Sequence, residues 1–289
     1  MVRQNPPNSI ETALGHLDLN AKNQRSTKSN KRRKQRSTSK SPSQSQTEED
    51  FSSDPLDENI CSKIFDTQHS DATGKFPAKS RRGNRYILVS VYRHYIHMEP
   101  FASRSAEDYT DAYRRTLTFF AHFGPTPKII RLDNEISATL ITFFKDEAKA
   151  EYEHVPVNNH RANKAERSIR TAKNHLISGL VGTHPDFPAS EWDELLPQAE
   201  ITLNQLRPWA GDHSISAYRG LYGNDYDHES HPMGPAGCEV LAFESPLTRA
   251  SWDVHGVRAF YLRPALDHYR NYWVYVPSTR KLRSTDTLH

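Results

Sequence analysis

Several features that define common protein classes are scarce or missing in this 289-residue chain. Cysteine occurs only at Cys61 and Cys238, so the sequence encodes neither a disulfide framework nor a Cys-rich zinc module, and we expect a reducing compartment. No apolar run approaches the roughly 18 residues of a membrane span, and the N-terminus has no apolar signal-peptide core. These absences predict a soluble intracellular protein with no membrane partner.

Acidic residues are absent from Lys22 to Lys40, where nine Lys and Arg side chains accumulate. Segment 1–60 is rich in polar residues and cannot bury enough apolar surface to offset its ordering entropy, so we predict a disordered basic and acidic leader. The run Lys31–Arg36 fits a nuclear-localisation or nucleic-acid-binding patch, although solvated tails often carry such runs. We therefore expect a nuclear protein, and the net charge of +3 requires any nucleic-acid affinity to come from local patches.

An α/β domain is predicted over residues 61–225. Apolar, β-branched runs predict strands beginning near Ile64 and ending at Asp71, and at Tyr86–Tyr92, Tyr95–Phe101, Lys128–Leu132 and Tyr152–Val157. Helical periods predict helices capped by Ser105 and Ser137, a long helix within Asn158–Leu180, and a helix from Ser190 that Pro197 should kink or split. Three consecutive strands followed by alternating helices and strands fit a mixed five-stranded sheet with helices on its faces.

The residues after about Pro235 are aromatic and β-branched, with Pro and Gly between the runs. Short strands are predicted at Val240–Phe243, Ala259–Leu262 and Tyr272–Val276. We therefore expect a small all-β domain over residues 235–289.

The long helix is amphipathic. Its apolar stripe consists of Ala165, Ile169, Ala172, Leu176 and Leu180. Its other side bears Arg167, Arg170, Lys173 and Asn174, which we interpret as contacts to DNA phosphates. A solvated helix face with no ligand explains the same pattern equally well.

Three carboxylates occupy positions where ligands collect in α/β sheets. Asp71 ends the first predicted strand, Asp133 ends the fourth, and Glu166 lies near the start of the long helix. Clustered carboxylates repel one another unless a cation neutralises them, and hard oxygen ligands suit Mg²⁺ or Mn²⁺. Such ions can activate a nucleophile and stabilise the leaving oxygen of a phosphodiester. Each residue alone also has an ordinary structural explanation, as a turn, strand-exit or first-turn acid.

Other polar residues are weaker candidates. Asp66, on the same first strand, is the second choice for the first carboxylate, and Glu135 lies near Asp133 in the sequence. The spacing HxxH occurs at His94/His97 and at His228/His231. Without partner cysteines, these pairs are interpreted as surface histidines rather than zinc ligands.

The carboxylate motifs resemble a known family. The stretches are Asp71–Pro77 (DATGKFP), Arg131–Glu135 (RLDNE) and His160–Arg167 (HRANKAER), followed by Ser190–Pro208 and Asp267–Val276. They resemble the integrase region of copia-type LTR retrotransposons, in the retroviral integrase superfamily, from about Gly15 to the end of the chain. The resemblance implies an RNase H-like core with Asp71, Asp133 and Glu166 as a metal-dependent triad. It also implies processing and joining of element DNA to target DNA, with self-association into a homo-oligomer.

Two departures from the family pattern shape this expectation. Asp133 and Glu166 are 33 residues apart, slightly fewer than is usual in the superfamily, and no cysteine remains of an upstream His-His-Cys-Cys zinc module. The chain therefore resembles a truncated polyprotein fragment or a decayed genomic copy. Two alternatives stay open: an RNase H-type nuclease on the same fold, and an inactive DNA-binding remnant.

Overall fold

The computed structural model describes residues 66–124, 126–132, 137–154, 164–244, 247 and 249–289. The predicted disordered leader at 1–60 lies outside the described residues. Across the described ranges, no helix combines the length and the apolar character that crossing a membrane requires.

A mixed five-stranded sheet forms the centre of the larger unit. Its strands are β1 (Thr67–Ala72), β2 (Tyr86–Tyr92), β3 (Tyr95–Phe101), β4 (Ile129–Leu132) and β5 (Glu151–His154). Their order is β3-β2-β1-β4-β5, in which β2 is antiparallel to both of its neighbours, β1 and β3, and β4 and β5 are parallel to β1. The five predicted strands are confirmed within the described residues. The first begins at Thr67, whereas its predicted start at Ile64 and the predicted end of the fifth strand at Val157 lie outside those residues.

Helices cover both faces of this sheet. They are α1 (Ala106–His122), α2 (Ala138–Thr142), which continues into a π-helical turn (Phe143–Glu147), α3 (Lys164–Val181), a 3₁₀ segment (Ala189–Leu195), α4 (Leu196–Gln205) and α5 (Ala217–Tyr222). The hydroxyl groups of Ser105 and Ser137 cap α1 and α2, as predicted. Pro197 lies in the first turn of α4, where its missing N–H costs nothing, so the predicted split of this helix is confirmed. The short helix α5 was not predicted.

The helices pack on the sheet through two apolar cores, one on each face. On one face, α1 and α2 pack against Leu88, Ile130 and Leu132. On the other face, α3 and α4 pack with Trp192 against Val89 and Met98. Because neighbouring residues of a strand point to opposite faces, the alternation along β2 separates these two cores.

The smaller unit is an antiparallel sheet in the order β6-β7-β8-β9. Its strands are β6 (Glu239–Phe243), β7 (Gly256–Ala265), β8 (Asn271–Val276) and β9 (Lys281–Thr285). Leu241 and His289 exchange backbone hydrogen bonds of 2.8 and 3.0 Å, so residues 287–289 close the sheet on itself. The fold class predicted from the sequence, a mixed five-stranded sheet flanked by helices with a small all-β unit, is confirmed, with β9 as an additional strand.

Three acidic side chains of the 3₁₀ segment are buried: Glu191, Asp193 and Glu194. The Arg81 guanidinium donates to Glu191 at 3.0 Å, and Arg82 lies 2.5 Å from Glu194. Arg263 of β7 lies 4.0 Å from the same Glu194 carboxylate. Burial raises the pKa of Glu194, although the two arginines oppose the shift. This polar seam joins the β1–β2 connection, the 3₁₀ segment and the small sheet.

A second buried polar network joins β3 to α4. Glu200 Oε1 lies 3.1 Å from His97 Nδ1 and accepts a hydrogen bond from the Tyr95 hydroxyl at 2.8 Å. The other oxygen of Glu200 accepts from the Met98 backbone N–H at 2.9 Å. Burial opposes protonation of His97, but Glu200, assisted by Glu99, outweighs this effect and raises the His97 pKa to about 9. The interpretation of His97 as a surface histidine is therefore wrong.

Substitution of Trp192 tests the packing of the core beneath α3. The side chain is fully buried, stacks on Phe76 and donates to the Ala78 carbonyl at 3.1 Å. Truncation to Ala should lower the free energy of unfolding by about 3–5 kcal/mol, because a large cavity cannot fully collapse. Denaturant unfolding of Trp192→Ala measures this loss. Trp252→Ala is the matched control, because Trp252 is 99% exposed, and it should change stability by less than ~0.5 kcal/mol. Equal effects of the two variants would contradict the described core.

The His97 network predicts a pH dependence of stability. The folded pKa of about 9 exceeds the ordinary value of 6.5. The stabilising contribution of His97 is therefore complete below pH 6.5, declines as the pH rises, and is lost above about pH 9. We expect the difference in unfolding free energy between the natural chain and His97→Gln to shrink over this range. A difference that stays constant from pH 6 to beyond pH 9, measured by denaturant titration at each pH, would rule out the network as a source of pH dependence.

Candidate functional site

Asp71 lies near the end of the central strand β1 and is half-buried. Its cross-strand partner is Val89, and directly paired residues share one face of a sheet, so Asp71 belongs to the face against which α3 packs. The Asp71 Oδ1 atom accepts a hydrogen bond from the backbone N–H of Ala72 at 2.7 Å. A half-buried carboxylate oxygen at a strand end is a suitable hard ligand for Mg²⁺ or Mn²⁺.

The parallel register brings the end of β4 to the same edge of the sheet. Ser70 pairs with Leu132, the last residue of β4, and Asp71 is the next residue along β1. Asp133 follows Leu132 in the sequence and lies outside the described residues. The described framework therefore brings the two strand ends together, while the distance between the two aspartates stays a prediction.

Helix α3 begins at Lys164 and packs over β1 and β2. Ala172 and Leu176 are buried in the core beneath it, and Ile169 and Leu180 pack against that core, which confirms this part of the predicted apolar stripe. Glu166 belongs to the first turn of α3, but its side chain lies outside the described part of the structure. Its predicted role as a ligand is not tested.

The opposite side of α3 is polar, as the sequence predicts. Arg167, Arg170 and Lys173 are exposed, and Asn174 is half-buried. At 100° per residue, Arg170 and Lys173 lie on the same side of the helix as position 166, and Arg167 and Asn174 lie beside them. The helix thus presents a basic face on the side of the predicted ligand Glu166.

A groove of about 460 Å³ runs between the β1–β2 connection and α3. Residues 73–77, immediately after the strand that bears Asp71, form one wall, and residues from Ala172 to Val181 form the other. The sequence does not predict this groove, because its lining residues come from separate stretches and each stretch resembles ordinary core.

The centre of the sheet is polar on the face opposite Asp71. Gln68 donates to the Ser70 hydroxyl at 2.7 Å, and the hydroxyl groups of Ser70 and Ser90 lie 2.8 Å apart. All three side chains are buried. These hydrogen bonds link β1 to β2 directly behind the predicted site and so fix the strand from which Asp71 projects.

Asp66, the second choice for the first carboxylate, is not supported. It precedes β1 and therefore lies at the end of the strand opposite to Asp71. There it is 2.9 Å from the Lys128 ammonium and 3.5 Å from the Arg93 guanidinium. These contacts tie the start of β1 to Lys128, just before β4, and to Arg93 in the β2–β3 turn. Glu135 lies outside the described residues.

The described residues contain no group of three or more His, Cys, Asp or Glu that could hold a metal ion. Two of the three predicted carboxylates, those of Asp133 and Glu166, lie outside the described part of the structure, so this absence does not bear on the predicted triad. Within the same ranges, His94 stacks on His213 at 6.0 Å, and His228 contacts Gln205 at 3.0 Å, so the HxxH spacings do not form a described zinc site.

Comparisons with known proteins give structural similarities alone. No protein-family model matches the chain, and no curated protein matches it. The catalytic core domain of BIV integrase is similar over 55% of this chain and 95% of that chain, with 14% identity and a TM-score of 0.40. The HTLV-2 integrase catalytic core domain in complex with magnesium is similar over 54% and 95%, with 18% identity and a TM-score of 0.40. A simian T-cell lymphotropic virus intasome in complex with PP2A regulatory subunit B56 gamma is similar over 77% of each chain, with 15% identity and a TM-score of 0.43. The resemblance to copia-type elements is not tested by these similarities and stays a prediction.

Proposed function

We propose that this chain is an integrase-type DNA strand transferase that cleaves phosphodiester bonds and joins retrotransposon DNA to target DNA. One observation carries the proposal. Asp71 lies one residue before the end of the central strand, next to the last residue of β4 and on the face covered by α3. The end of β1 bears Asp71, the end of β4 leads to Asp133, and α3 bears Glu166. These three elements belong to one framework of the kind that a carboxylate site requires.

Asp71, Asp133 and Glu166 are the proposed ligands of Mg²⁺ or Mn²⁺. Such an ion, when bound, lowers the pKa of a water or hydroxyl nucleophile and stabilises the leaving oxygen. The chain itself supplies hard oxygen donors and fixes the first of them, since Asp71 projects from a strand that is hydrogen-bonded on both sides. The Ser70–Ser90 contact behind it holds that strand against lateral movement.

The basic face of α3 is the proposed DNA surface. Arg167, Arg170 and Lys173 would neutralise phosphates, and Asn174 would donate hydrogen bonds to them. Exposure of the three charged residues supports this role, because phosphate contacts need accessible cations. Element ends and target DNA are the proposed partners.

The proposal also covers assembly, localisation and domain organisation. We propose self-association into a homo-oligomer and nuclear localisation through the run Lys31–Arg36. We further propose that residues 61–225 and 235–289 are separate domains of one enzyme, with the polar seam through Glu194 as their contact.

The first test removes a proposed ligand. Asp71→Asn and Asp133→Asn should each bind DNA but lose Mg²⁺-dependent nicking and strand transfer. The loss should be at least about 100-fold, because even outer-shell partners of metal ligands cost 10–100-fold. Asp146→Asn is the matched control, because Asp146 is exposed on the π-helical turn. Wild-type-like turnover in the Asp71→Asn or the Asp133→Asn variant would contradict the assignment of that residue as a metal ligand. A natural chain that binds DNA without any Mg²⁺-dependent turnover would favour the inactive remnant.

The second test reverses a charge on α3. Lys173→Glu should weaken binding to duplex DNA and reduce the slope of log K against log salt by about 1, because one phosphate contact releases about one counterion. Fluorescence anisotropy over a salt series measures both quantities. Lys145→Glu is the control, because Lys145 is exposed on the turn that packs against the other face of the sheet. If Lys173→Glu and Lys145→Glu behave alike, the basic face is an ordinary solvated surface.

A further inference from the structure

The groove beside α3 has an apolar interior. Its floor is made of Ile87, Val89 and Met98, which are at most 5% exposed. Leu176 forms part of the helical wall, and Val181, at 45% exposure, extends the apolar surface to the open end. A groove of about 460 Å³ can hold one or two large apolar side chains with part of their backbone.

The rim of the groove is positively charged. Lys75 and Lys173 are exposed and line it from opposite walls. Arg104 donates to the carbonyl of Thr73 at 3.1 Å and so adds a third cation beside the wall formed by residues 73–77. Among the described residues, neither Lys75 nor Lys173 forms an ion pair. This combination of an apolar channel and cationic rims fits a segment that is both acidic and apolar.

The chain itself contains such a segment. Glu48–Glu58 (EEDFSSDPLDE) carries six carboxylates and no Lys or Arg. Phe51 and Leu56 are its large apolar residues; Asp50 precedes Phe51, and Asp57 follows Leu56. A cluster of carboxylates repels itself, whereas a cationic rim lowers that repulsion, and burial of two apolar side chains adds a favourable contribution. The segment lies outside the described residues and precedes β1 in the sequence, separated from it by residues 59–66.

The connection is long enough to reach the groove. Leu56 precedes Asp66 by ten residues, which span at most ~35 Å when extended. The groove begins past the far end of β1, whose six residues cover about 20 Å. Phe51 lies five residues further from β1 and has correspondingly more reach.

We propose that the groove beside α3 binds the acidic segment Glu48–Glu58 of the same chain, with Phe51 and Leu56 in the apolar channel and the carboxylates on Lys75 and Lys173. Lys173 also belongs to the proposed DNA surface. The segment therefore competes with DNA phosphates for α3, and its release accompanies DNA binding. This last step rests on the proposed function, whereas occupation of the groove does not.

Zero-length crosslinking of the full chain tests the occupant. A carbodiimide joins carboxylates to lysine amines only when they are in contact. Peptide mass spectrometry should therefore recover links from the segment to Lys75 and Lys173, and fewer to the control Lys145. A mixture of isotopically light and heavy protein separates links within one chain from links between copies. Links that are mainly between copies, links as frequent to Lys145, or no links from the segment would each overturn the proposal.

A double variant distinguishes docking of the apolar side chains from charge attraction alone. Phe51→Ser combined with Leu56→Ser keeps all six carboxylates, and it should reduce the links to Lys75 and Lys173 by at least ~10-fold because the apolar contribution is lost. Unchanged links would show that charge alone holds the segment and would overturn the docking in the groove. The measurement needs neither metal nor DNA, so an inactive protein leaves it interpretable.

DNA titration tests the competition. Replacing the six acids by Asn and Gln should raise affinity for duplex DNA several-fold, and duplex DNA should suppress the links to Lys173 in the natural chain. Crosslinks that form but are unaffected by saturating DNA would overturn the competition while leaving the groove occupied. Protection of Lys75 and Lys173 from amine labelling by DNA, without any link to the segment, would instead identify DNA as the occupant.

Discussion

The packing of α3 on the central strands is the interaction on which the rest of the structure depends. Ala172 and Leu176 are buried against Val89 and Met98, and this contact fixes both the height of the helix over the sheet and its rotation. Since the basic residues and position 166 occupy the remaining side of the same helix, their direction is set by the buried stripe. A helix of this kind transmits a change in its core directly to its polar side, the proposed DNA surface.

Charge is buried at two places where elements must keep their relative position. Glu194 faces arginines from both the β1–β2 connection and β7, and Glu200 holds His97 between β3 and α4. Buried ion pairs contribute little net stability compared with apolar packing, because desolvation offsets much of their attraction. Their effect is directional, since each carboxylate accepts only from donors placed at its oxygens. The 3₁₀ segment and α4 are thereby held in one register against the sheet.

Prediction from the sequence succeeded where periodicity and local chemistry agree. The five strands, the caps at Ser105 and Ser137, and the split at Pro197 follow from patterns within a few residues. The buried acids were missed because their partners lie about 110 residues away, and charge usually predicts exposure. Strand β9 was missed because its sequence, KLRST, has one polar face and few apolar residues. For the site, the sequence proposes three carboxylates, and the described structure places Asp71 and the elements leading to the other two.

The closure of the small sheet covers a strand edge that would otherwise be open to another molecule. Strand β6 displays Leu241 and Phe243 at 49% and 40% exposure, and its outer backbone groups pair with residues 287–289. An uncovered strand with apolar side chains is a template for pairing with another molecule, and covering it removes that template. Residues 287–289 thus cover this strand edge, and any change that displaces them exposes backbone groups and apolar side chains that can pair with another molecule, while leaving the larger sheet untouched.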